Sequence, residues 1–320
     1  MIDSPLAPEP PTTGPGKSLS GVLRPSPIMN AWIRTGEVFL SRIAGYGPGE
    51  VLNIAPAGSV FETDTDPAAG LKKALDEVKI AALDETGLHV DYTRLRTSPA
   101  YTAYRLKTFQ LHAFDPASLP SDKARTAFWI NLYNALVMDA VIAFGVQRSV
   151  VEGRLGMLAF FRRAAYNVGG LRVSLDDIEQ GILRGNRGHP FLPGLHFTSK
   201  NPRLSWALPL DPRVHFALNC ASRSCPPIQV YTAEKLDIQL ELATHNFVNS
   251  NVKLDSGCQV LVLSSIFRWF ENDFGGRTGL ITFLCDHLPS DVRHTCLSQN
   301  RNTLRFKYEP YDWSLNSTEL

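Results

Sequence analysis

The segment from His215 to Pro227 contains the side chains best suited to chemistry in this sequence. It reads His-Phe-Ala-Leu-Asn-Cys-Ala-Ser-Arg-Ser-Cys-Pro-Pro, with thiols at Cys220 and Cys225. A thiol has an ordinary pKa of about 8.5, and a nearby cation or backbone dipoles must lower it before the thiol is a useful nucleophile. His215 and Arg223 are side chains of the right type, and an imidazole can also carry a proton to a leaving group. We therefore predict a thiol site here and favour Cys220 over Cys225.

A β-strand is predicted to present these side chains. Apart from His215, residues 214–218 are apolar, and they lie between the Asp-Pro pair at 211–212 and the Cys-Ser-Pro cluster that follows. Because successive side chains of a strand point to opposite faces, we expect His215 and Asn219 to share one face. Cys220 then lies where the strand gives way to a loop, a position at which a scaffold can hold a reactive side chain outward.

The same segment also fits a purely structural interpretation. Cysteine is among the residues most often buried in protein interiors, and a histidine at a strand end is commonly hydrogen-bonded to its surroundings. A disulfide or redox pair between Cys220 and Cys225 is a further alternative, which a reducing compartment disfavours. Zinc bound by His215 and the two thiols would lack an obvious fourth ligand. We predict neither a metal nor a cofactor.

A second group of polar side chains lies in the apolar run over residues 128–136. Asn131 and Asn134 are three residues apart and therefore lie on a common side of a helix. Two amides in so apolar a helix are costly unless they are hydrogen-bonded. They either tie a loop to the helix or orient a catalytic group or a substrate. We favour the first interpretation for each residue, because polar groups in a core are usually satisfied parts of the structure.

Three weaker features accompany these groups. The acidic run at 176–179 opens a predicted helix, where carboxylates are stabilised by the helix dipole. Arg184, Arg187 and His189 follow it and are of a type that binds anions, although solvent exposure is the more usual state of such residues. Trp269, Phe270, Asp273 and Phe274 are interpreted as a packing corner.

The charge balance limits the classes of partner. The 320 residues include 32 Lys plus Arg and 31 Asp plus Glu, which gives a net charge of +1 at pH 7. A protein with so small a net charge has no overall positive potential that would attract nucleic-acid phosphates or anionic lipids. We therefore expect a small-molecule, peptide or protein partner and no nucleic acid.

The compartment is predicted from the cysteines and from the apolar runs. Five cysteines are an odd number, whereas a secreted disulfide scaffold is denser and usually even in count. No run approaches the roughly 18 apolar residues needed to span a bilayer. The N-terminus lacks the basic start and apolar middle of a signal peptide. We therefore predict a soluble cytoplasmic protein with reduced thiols and no membrane span.

The predicted elements indicate an α+β fold, because helices and strands are mixed without strict alternation. We expect one mixed domain in which a central apolar helix packs on a small sheet. Helices are predicted over residues 66–83, 125–144, 174–183, 232–249, 266–274 and 280–288, and strands over 171–175, 214–218, 260–263 and 303–308. The domain division is a disordered Pro-rich tail (1–27), an extension with a short helix at 29–44 (28–64), the main domain (65–313) and a C-terminal tail (314–320).

Several of these segments together resemble the family named "domain of unknown function 547". The matching segments are residues 127–136, 174–184, 211–220, 224–227 and 266–275, in order within roughly residues 88 to 290. The biochemistry of that family is not established, so the resemblance implies membership and no particular reaction. The family often has histidine after the Ile-Glu of the second segment, where this chain has Gln180. If that histidine were a catalytic base, this chain would lack it, and a mechanism based on His215 would stand.

The leading hypothesis is a cysteine-dependent hydrolase or an acyl- or thiol-transfer enzyme. In it Cys220 is the nucleophile, His215 its base and Arg223 a charge stabiliser, and Asn131 and Asn134 are the orienting amides. The alternative is a non-catalytic domain that binds a protein or peptide. The positions of these side chains distinguish the enzyme from the binding domain, since an enzyme needs a thiol within roughly 4 Å of the imidazole at an accessible cleft.

Overall fold

The computed structural model describes most of the chain after residue 65. The described residues are 22–24, 26, 29, 38–39, 41–42, 45–47, 49–54, 66–152 and 156–318. The disordered tail predicted over 1–27 and the helix predicted over 29–44 fall largely outside these residues.

Helices dominate the fold, and two small sheets accompany them, so the predicted α+β class is confirmed. The α-helices are α1 (Pro67–Ala82), α2 (Tyr92–Thr97), α3 (Pro99–Thr108), α4 (Asp122–Phe144), α5 (Met157–Arg163), α6 (Leu236–Asn251), α7 (Ser265–Trp269), α8 (Gly276–His287) and α9 (Val292–Gln299). A π-helix spans Asp177–Leu183, and 3₁₀ helices span Phe109–Ala113, Pro116–Ser118, Pro202–Trp206, Pro212–Phe216 and Glu271–Phe274. The strands are β1 (Ala165–Val168), β2 (Leu171–Ser174), β3 (Val252–Leu254), β4 (Val260–Leu263) and β5 (Arg305–Tyr308).

Helix α4 is the central element, as the sequence predicts. Ser121 caps its start by accepting the backbone N–H of Ala124 over 3.2 Å. Gly145, with φ of 65°, ends it in the left-handed conformation that glycine adopts readily. The helix is long and apolar enough to cross a membrane by length and composition, but 83% of its most apolar stretch is buried inside the protein. The length and apolar composition of α4 are therefore explained by its place in the core.

The two sheets are short and lie in different parts of the chain. Strands β1 and β2 form an antiparallel hairpin with Ala165 opposite Ser174. Strand β4 is central in the second sheet, antiparallel to β3 and parallel to β5. The strands predicted over residues 171–175, 260–263 and 303–308 are therefore confirmed.

The strand predicted over residues 214–218 is wrong, because the chain forms the 3₁₀ helix Pro212–Phe216 there. Asp211 caps this helix by accepting the Arg213 backbone N–H over 3.0 Å. Pro212 occupies the first helical position, where its fixed φ suits a helix and no N–H is needed. The Asp-Pro pair is thus a helix start rather than a boundary before a strand.

This 3₁₀ helix joins two hydrophobic clusters. Val214 packs in the first cluster, which surrounds α4, and Phe216 packs in the second, which contains residues of α6, α7 and α8. His215 and Asn219 consequently do not share the face of a strand. Ala217 and Leu218 return to the first cluster immediately before the two candidate thiols.

Residues 314–318 pack against the rest of the protein. Ser314 and Leu315 form bridges with Ser149 and Ser222, respectively, and Ser317 forms one with Val90. The segment that the sequence assigns to a C-terminal tail therefore lies beside the candidate thiols.

The remaining three cysteines divide into a pair and a single residue. Cys258 and Cys296 form a disulfide with their Cα atoms 5.6 Å apart. The expectation that all thiols are reduced is therefore wrong for this pair. Cys220, Cys225 and Cys285 are free.

Candidate functional site

The loop that carries both candidate thiols is held to α4 by buried amides. Asn134 donates through Nδ2 to the Ala217 carbonyl over 2.9 Å, and its Oδ1 accepts the Asn219 backbone N–H over 2.9 Å. The side chain of Asn219 donates to the Pro226 carbonyl over 2.7 Å and accepts the Ala221 backbone N–H over 2.8 Å. These contacts fix the two ends of residues 217–226 relative to each other, and we call this segment the thiol loop.

The chain that leaves this loop is held in the same way. Asn131 Nδ2 donates to the Tyr231 carbonyl over 2.8 Å, and Asn131 Oδ1 accepts the Tyr231 backbone N–H over 2.9 Å. The amides of Asn131 and Asn134 thus make the loop-tying contacts that the sequence analysis favoured. Both side chains hold the thiol loop and the chain that follows it against α4.

The two thiols lie in direct contact. Their Sγ atoms are 2.8 Å apart, and Cys225 Sγ also accepts the backbone N–H of Cys220 over 3.0 Å. Ser222 Oγ lies 3.1 Å from Cys220 Sγ and 3.2 Å from Cys225 Sγ. Tyr311 Oη lies 3.4 Å and 3.2 Å from the same two atoms. Two thiols and two hydroxyls therefore form one cluster, which we call the thiol cluster.

The thiol cluster favours a single negative charge. Burial opposes ionisation of Cys225, but hydrogen bonds from Cys220, Ser222 and Tyr311 outweigh it and lower the pKa of Cys225 to about 6. Burial raises the pKa of Cys220 well above its ordinary value, and its hydrogen bond to Cys225 and the negative charge there add to this effect. The pair therefore loses one proton near neutral pH and retains the other.

His215 is bound to a carboxylate rather than to a thiol. Its Nε2 lies 2.9 Å from Asp273 Oδ2, and its ring stacks on Phe270 with centroids 4.0 Å apart. Among the described residues, no hydrogen bond joins His215 to Cys220 or Cys225. Burial lowers the pKa of His215, although the bond to Asp273 opposes this shift.

Asp273 is the centre of a buried ion pair. Arg184 donates to its two carboxylate oxygens over 2.5 Å and 3.1 Å. Burial raises the pKa of Asp273, but its hydrogen bonds to His215 and Arg184 and the charge of Arg184 hold it well below the ordinary value. Arg184 also donates to Gln180. The anion that Arg184 binds is therefore the Asp273 carboxylate, rather than an anionic ligand.

The thiol cluster opens into a cleft of about 600 Å³, a volume that includes space open to solvent. Its lining consists of Tyr133, Phe161, Asp176, Glu179, Gln180, His189, Pro190, Phe191, His215, Leu218, Cys220, Cys225, Ile266, Trp269, Phe270, Tyr311 and Trp313. Among the described residues, no group of three or more His, Cys, Asp or Glu side chains is arranged to hold a metal ion.

The region around the thiols matches one protein family. Residues 116–248 match the family described as "Protein of unknown function, DUF547". The chain resembles the DUF547 family. No curated protein and no solved structure matches the chain. The DUF547 match includes both thiols and Glu179, whereas Trp269 and Tyr311 lie beyond its end.

Gln180 lies at the position where the DUF547 resemblance leads us to expect a histidine. Its side chain lines the cleft together with both thiols. It accepts a hydrogen bond from Arg184, so its carbonyl is turned towards the ion pair with Asp273. In this chain the position therefore contributes an uncharged amide to the cleft.

Glu179 is a titratable group that the sequence analysis interpreted only as part of a helix start. It accepts the hydroxyl of Tyr133 over 3.0 Å. Burial raises the pKa of Glu179 to about 7, in spite of the charge of Arg184 nearby. Burial raises the pKa of Tyr133, and negative charge on Glu179 and on the thiol pair raises it further.

Arg223 is placed away from the thiol cluster. Its side chain is exposed and is not among the residues that line the cleft. Its backbone N–H donates to the Ser314 carbonyl over 2.9 Å, and its charge contributes to the lowered pKa of Asp312. The structure brings Cys220, Cys225 and His215 to one cleft and leaves Arg223 outside it.

Proposed function

We propose that this chain is a cysteine-dependent hydrolase or an acyl- or thiol-transfer enzyme whose nucleophile is Cys225. The observation that carries the proposal is the surroundings of Cys225 Sγ, which accepts the Cys220 backbone N–H and lies within hydrogen-bond distance of three groups that can donate, Cys220 Sγ, Ser222 Oγ and Tyr311 Oη. Such donors stabilise a thiolate, and the thiolate is the reactive form of cysteine. The proposal differs from the sequence-based choice of Cys220, because Cys220 supplies hydrogen bonds and Cys225 receives them.

The first step is attack of the Cys225 thiolate on the carbonyl carbon of an ester, thioester or amide. A sulfur–carbon bond forms, the bond from carbon to the leaving heteroatom breaks, and the leaving group departs with a proton. Glu179 is the donor that we assign, because its raised pKa of about 7 lets it give and accept a proton near neutral pH. Water or a second thiol then attacks the acyl group, returns a proton to Glu179 and restores the thiolate.

Asn131, Asn134 and Asn219 are positioning residues in this proposal. They hold the backbone that carries the thiols and do not line the cleft. The role of base predicted for His215 becomes that of a neutral ring fixed by Asp273 in the cleft wall. A cytoplasmic location and a small-molecule or peptide substrate belong to the same proposal, since the free thiols must stay reduced to react.

A non-catalytic scaffold domain is the second candidate. It is favoured by the burial of Cys225, whose side chain is 6% exposed, and by the dense hydrogen bonding of the thiol loop. In that case the thiols would be inert and the loop would only be part of the core.

Alkylation of the native chain separates the two functions. We would label the full-length Cys285→Ser chain with iodoacetamide from pH 5 to pH 9 and locate the modified cysteine by mass spectrometry. The enzyme proposal predicts labelling of Cys225 with a half-maximal rate near pH 6, the value of its lowered pKa. Labelling of both thiols only after denaturation would exclude the enzyme and support the scaffold.

Turnover is tested with 4-nitrophenyl acetate. We expect one 4-nitrophenolate to be released per chain in a fast first phase, with an acetyl group on Cys225. The Cys225→Ser chain should lose this phase, whereas the Cys285→Ser chain should retain it, because Cys285 is buried outside the cleft. A first phase that survives in Cys225→Ser would assign the reaction to another residue.

A further inference from the structure

Aromatic rings form the wall of the cleft next to the thiol cluster. The ring centroids of Trp269 and Tyr311 are 4.8 Å apart, and those of Tyr311 and Trp313 are 4.6 Å apart. Phe191 meets Trp269 edge to face at 5.7 Å. Because the hydroxyl of Tyr311 contacts both sulfur atoms, this aromatic wall begins at the reacting atom.

The titratable groups in the cleft give it no positive charge. No lysine or arginine is among the described residues that line it, and its basic side chains are His189 and His215. Burial lowers the pKa of both histidines, which keeps them neutral at neutral pH. The other ionisable lining groups, apart from thiols and phenols, are the carboxyl groups of Asp176 and Glu179.

Two arginines that adjoin residues of the cleft lining are paired with carboxylates. Arg162 Nε lies 3.1 Å from Asp176 Oδ2. Arg184 Nε lies 2.5 Å from Asp273 Oδ2, and both side chains of this pair are almost fully buried. An anionic group that entered the cleft would meet a thiolate and two carboxyl groups, and no lysine or arginine is among the described residues that line it, so an unpaired charge there is strongly disfavoured.

We propose that the cleft selects a substrate whose group beside the reacting atom is uncharged and aromatic or aliphatic, and that it excludes anions. This inference rests on the proposed thiol chemistry and names its substrate class. The substrates that fit are thioesters, esters or disulfides of hydrophobic acids or thiols. Donors with a carboxylate or phosphate close to the reacting atom, such as glutathione mixed disulfides, do not fit.

Three methanethiosulfonate reagents with different head groups test the selection. They carry a benzyl, a 2-(trimethylammonium)ethyl or a 2-sulfonatoethyl group. In each case the thiolate attacks the sulfenyl sulfur, a mixed disulfide forms and methanesulfinate leaves, so the chemistry is the same. Rates would be measured on the native Cys285→Ser chain and divided by the rates with free 2-mercaptoethanol, which removes the intrinsic reactivity of each reagent.

The normalised rate of the benzyl reagent should exceed that of the sulfonatoethyl reagent by about tenfold or more, with the cationic reagent between them. Trp269→Ala should reduce the benzyl preference, and Glu179→Gln should raise the relative rate of the sulfonatoethyl reagent. After denaturation in urea, the three normalised rates should become similar.

The outcomes separate this inference from the proposed function. Equal normalised rates on the native chain, or a preference for the sulfonatoethyl reagent, would overturn the selection and leave the reactive thiol in place. If no reagent modified Cys220 or Cys225 in the native chain, the proposed function and the selection that rests on it would both be overturned.

Discussion

Cys220 donates its backbone N–H to the Sγ atom of Cys225 over 3.0 Å, while the two sulfur atoms lie 2.8 Å apart. With the thiolate at Cys225, Cys220 offers two donors to this one acceptor, because its thiol S–H adds to its backbone N–H. Only the thiol depends on the side chain. A substitution at residue 220 can remove one donor and keep the other.

Cys220→Ala should raise the pKa of Cys225. The change removes the S–H donor, and a hydrogen bond to a charged acceptor contributes roughly 1.5 kcal/mol, which corresponds to about one pKa unit. The midpoint of alkylation against pH should move up from about 6 by about one unit. Cys285→Ala is the control and should leave the midpoint unchanged. An unchanged midpoint in Cys220→Ala would mean that the Cys220 thiol does not stabilise the thiolate.

The carboxyl group of Glu179 should make the stability of the folded chain depend on pH. Burial raises the pKa of Glu179 in the folded chain to about 7, from an ordinary value of 4.5. The folded state therefore holds this proton more tightly than the unfolded state. Its contribution to stability is fully present below pH 4.5 and is lost as the pH rises through about 7. The loss is on the order of 3 kcal/mol.

Glu179→Gln should remove this dependence, because an amide does not ionise. We would measure urea unfolding of both chains at pH 5 and pH 8 and compare the two differences. The free energy of unfolding should fall more between these pH values in the unmodified chain than in Glu179→Gln. Glu85→Gln is the control, since Glu85 is exposed in the turn after α1 and does not line the cleft. The same fall in all three chains would contradict the burial of an ionising Glu179.

Asn134 should be essential for the stability of the thiol loop. Asn134→Ala leaves the Ala217 carbonyl and the Asn219 N–H without their partner, and each buried unsatisfied group costs roughly 1–3 kcal/mol. We expect a loss of about 2–4 kcal/mol in the free energy of unfolding, measured with urea at pH 7. Asn302→Ala, at an exposed position, should change it by less than about 0.5 kcal/mol. A loss of similar size in both chains would exclude a special role for Asn134.

The sequence predicts helix α4 well because its signals are local. A continuous apolar stretch over residues 128–136 and a glycine at 145 specify a buried helix and its end without reference to distant residues. The Asp-Pro pair at 211–212 is just as local, yet its capping role was missed because the apolar residues after it resemble a strand. The same pair type at 66–67 opens helix α1, where the sequence predicts a helix from residue 66.

The candidate site is predicted only in part, because its partners are distant in sequence. The thiols lie on a short segment and were identified together from their spacing. Tyr311 is 91 residues from Cys220, and Asp273 is 58 residues from His215. No local pattern pairs such residues, so the hydroxyl beside the thiols and the carboxylate beside the imidazole require the fold. Glu179 was found as part of a helix start, but its burial was not predictable from that position.

The contact between the two sulfur atoms also predicts their oxidation. A disulfide needs the Sγ atoms at about 2.05 Å, and the thiols already lie 2.8 Å apart, so a small movement of the loop suffices. With diamide, both thiols should lose their hydrogens to the azo group and form one intramolecular disulfide. Mass spectrometry should find this Cys220–Cys225 crosslink, and alkylation of Cys225 should stop until dithiothreitol restores it. Ser222→Ala is an informative comparison, because it removes a hydroxyl from the thiol cluster but neither sulfur, and it should still form the crosslink. Diamide treatment that instead joined two chains through Cys220 would mean that the two sulfur atoms are not in contact in solution.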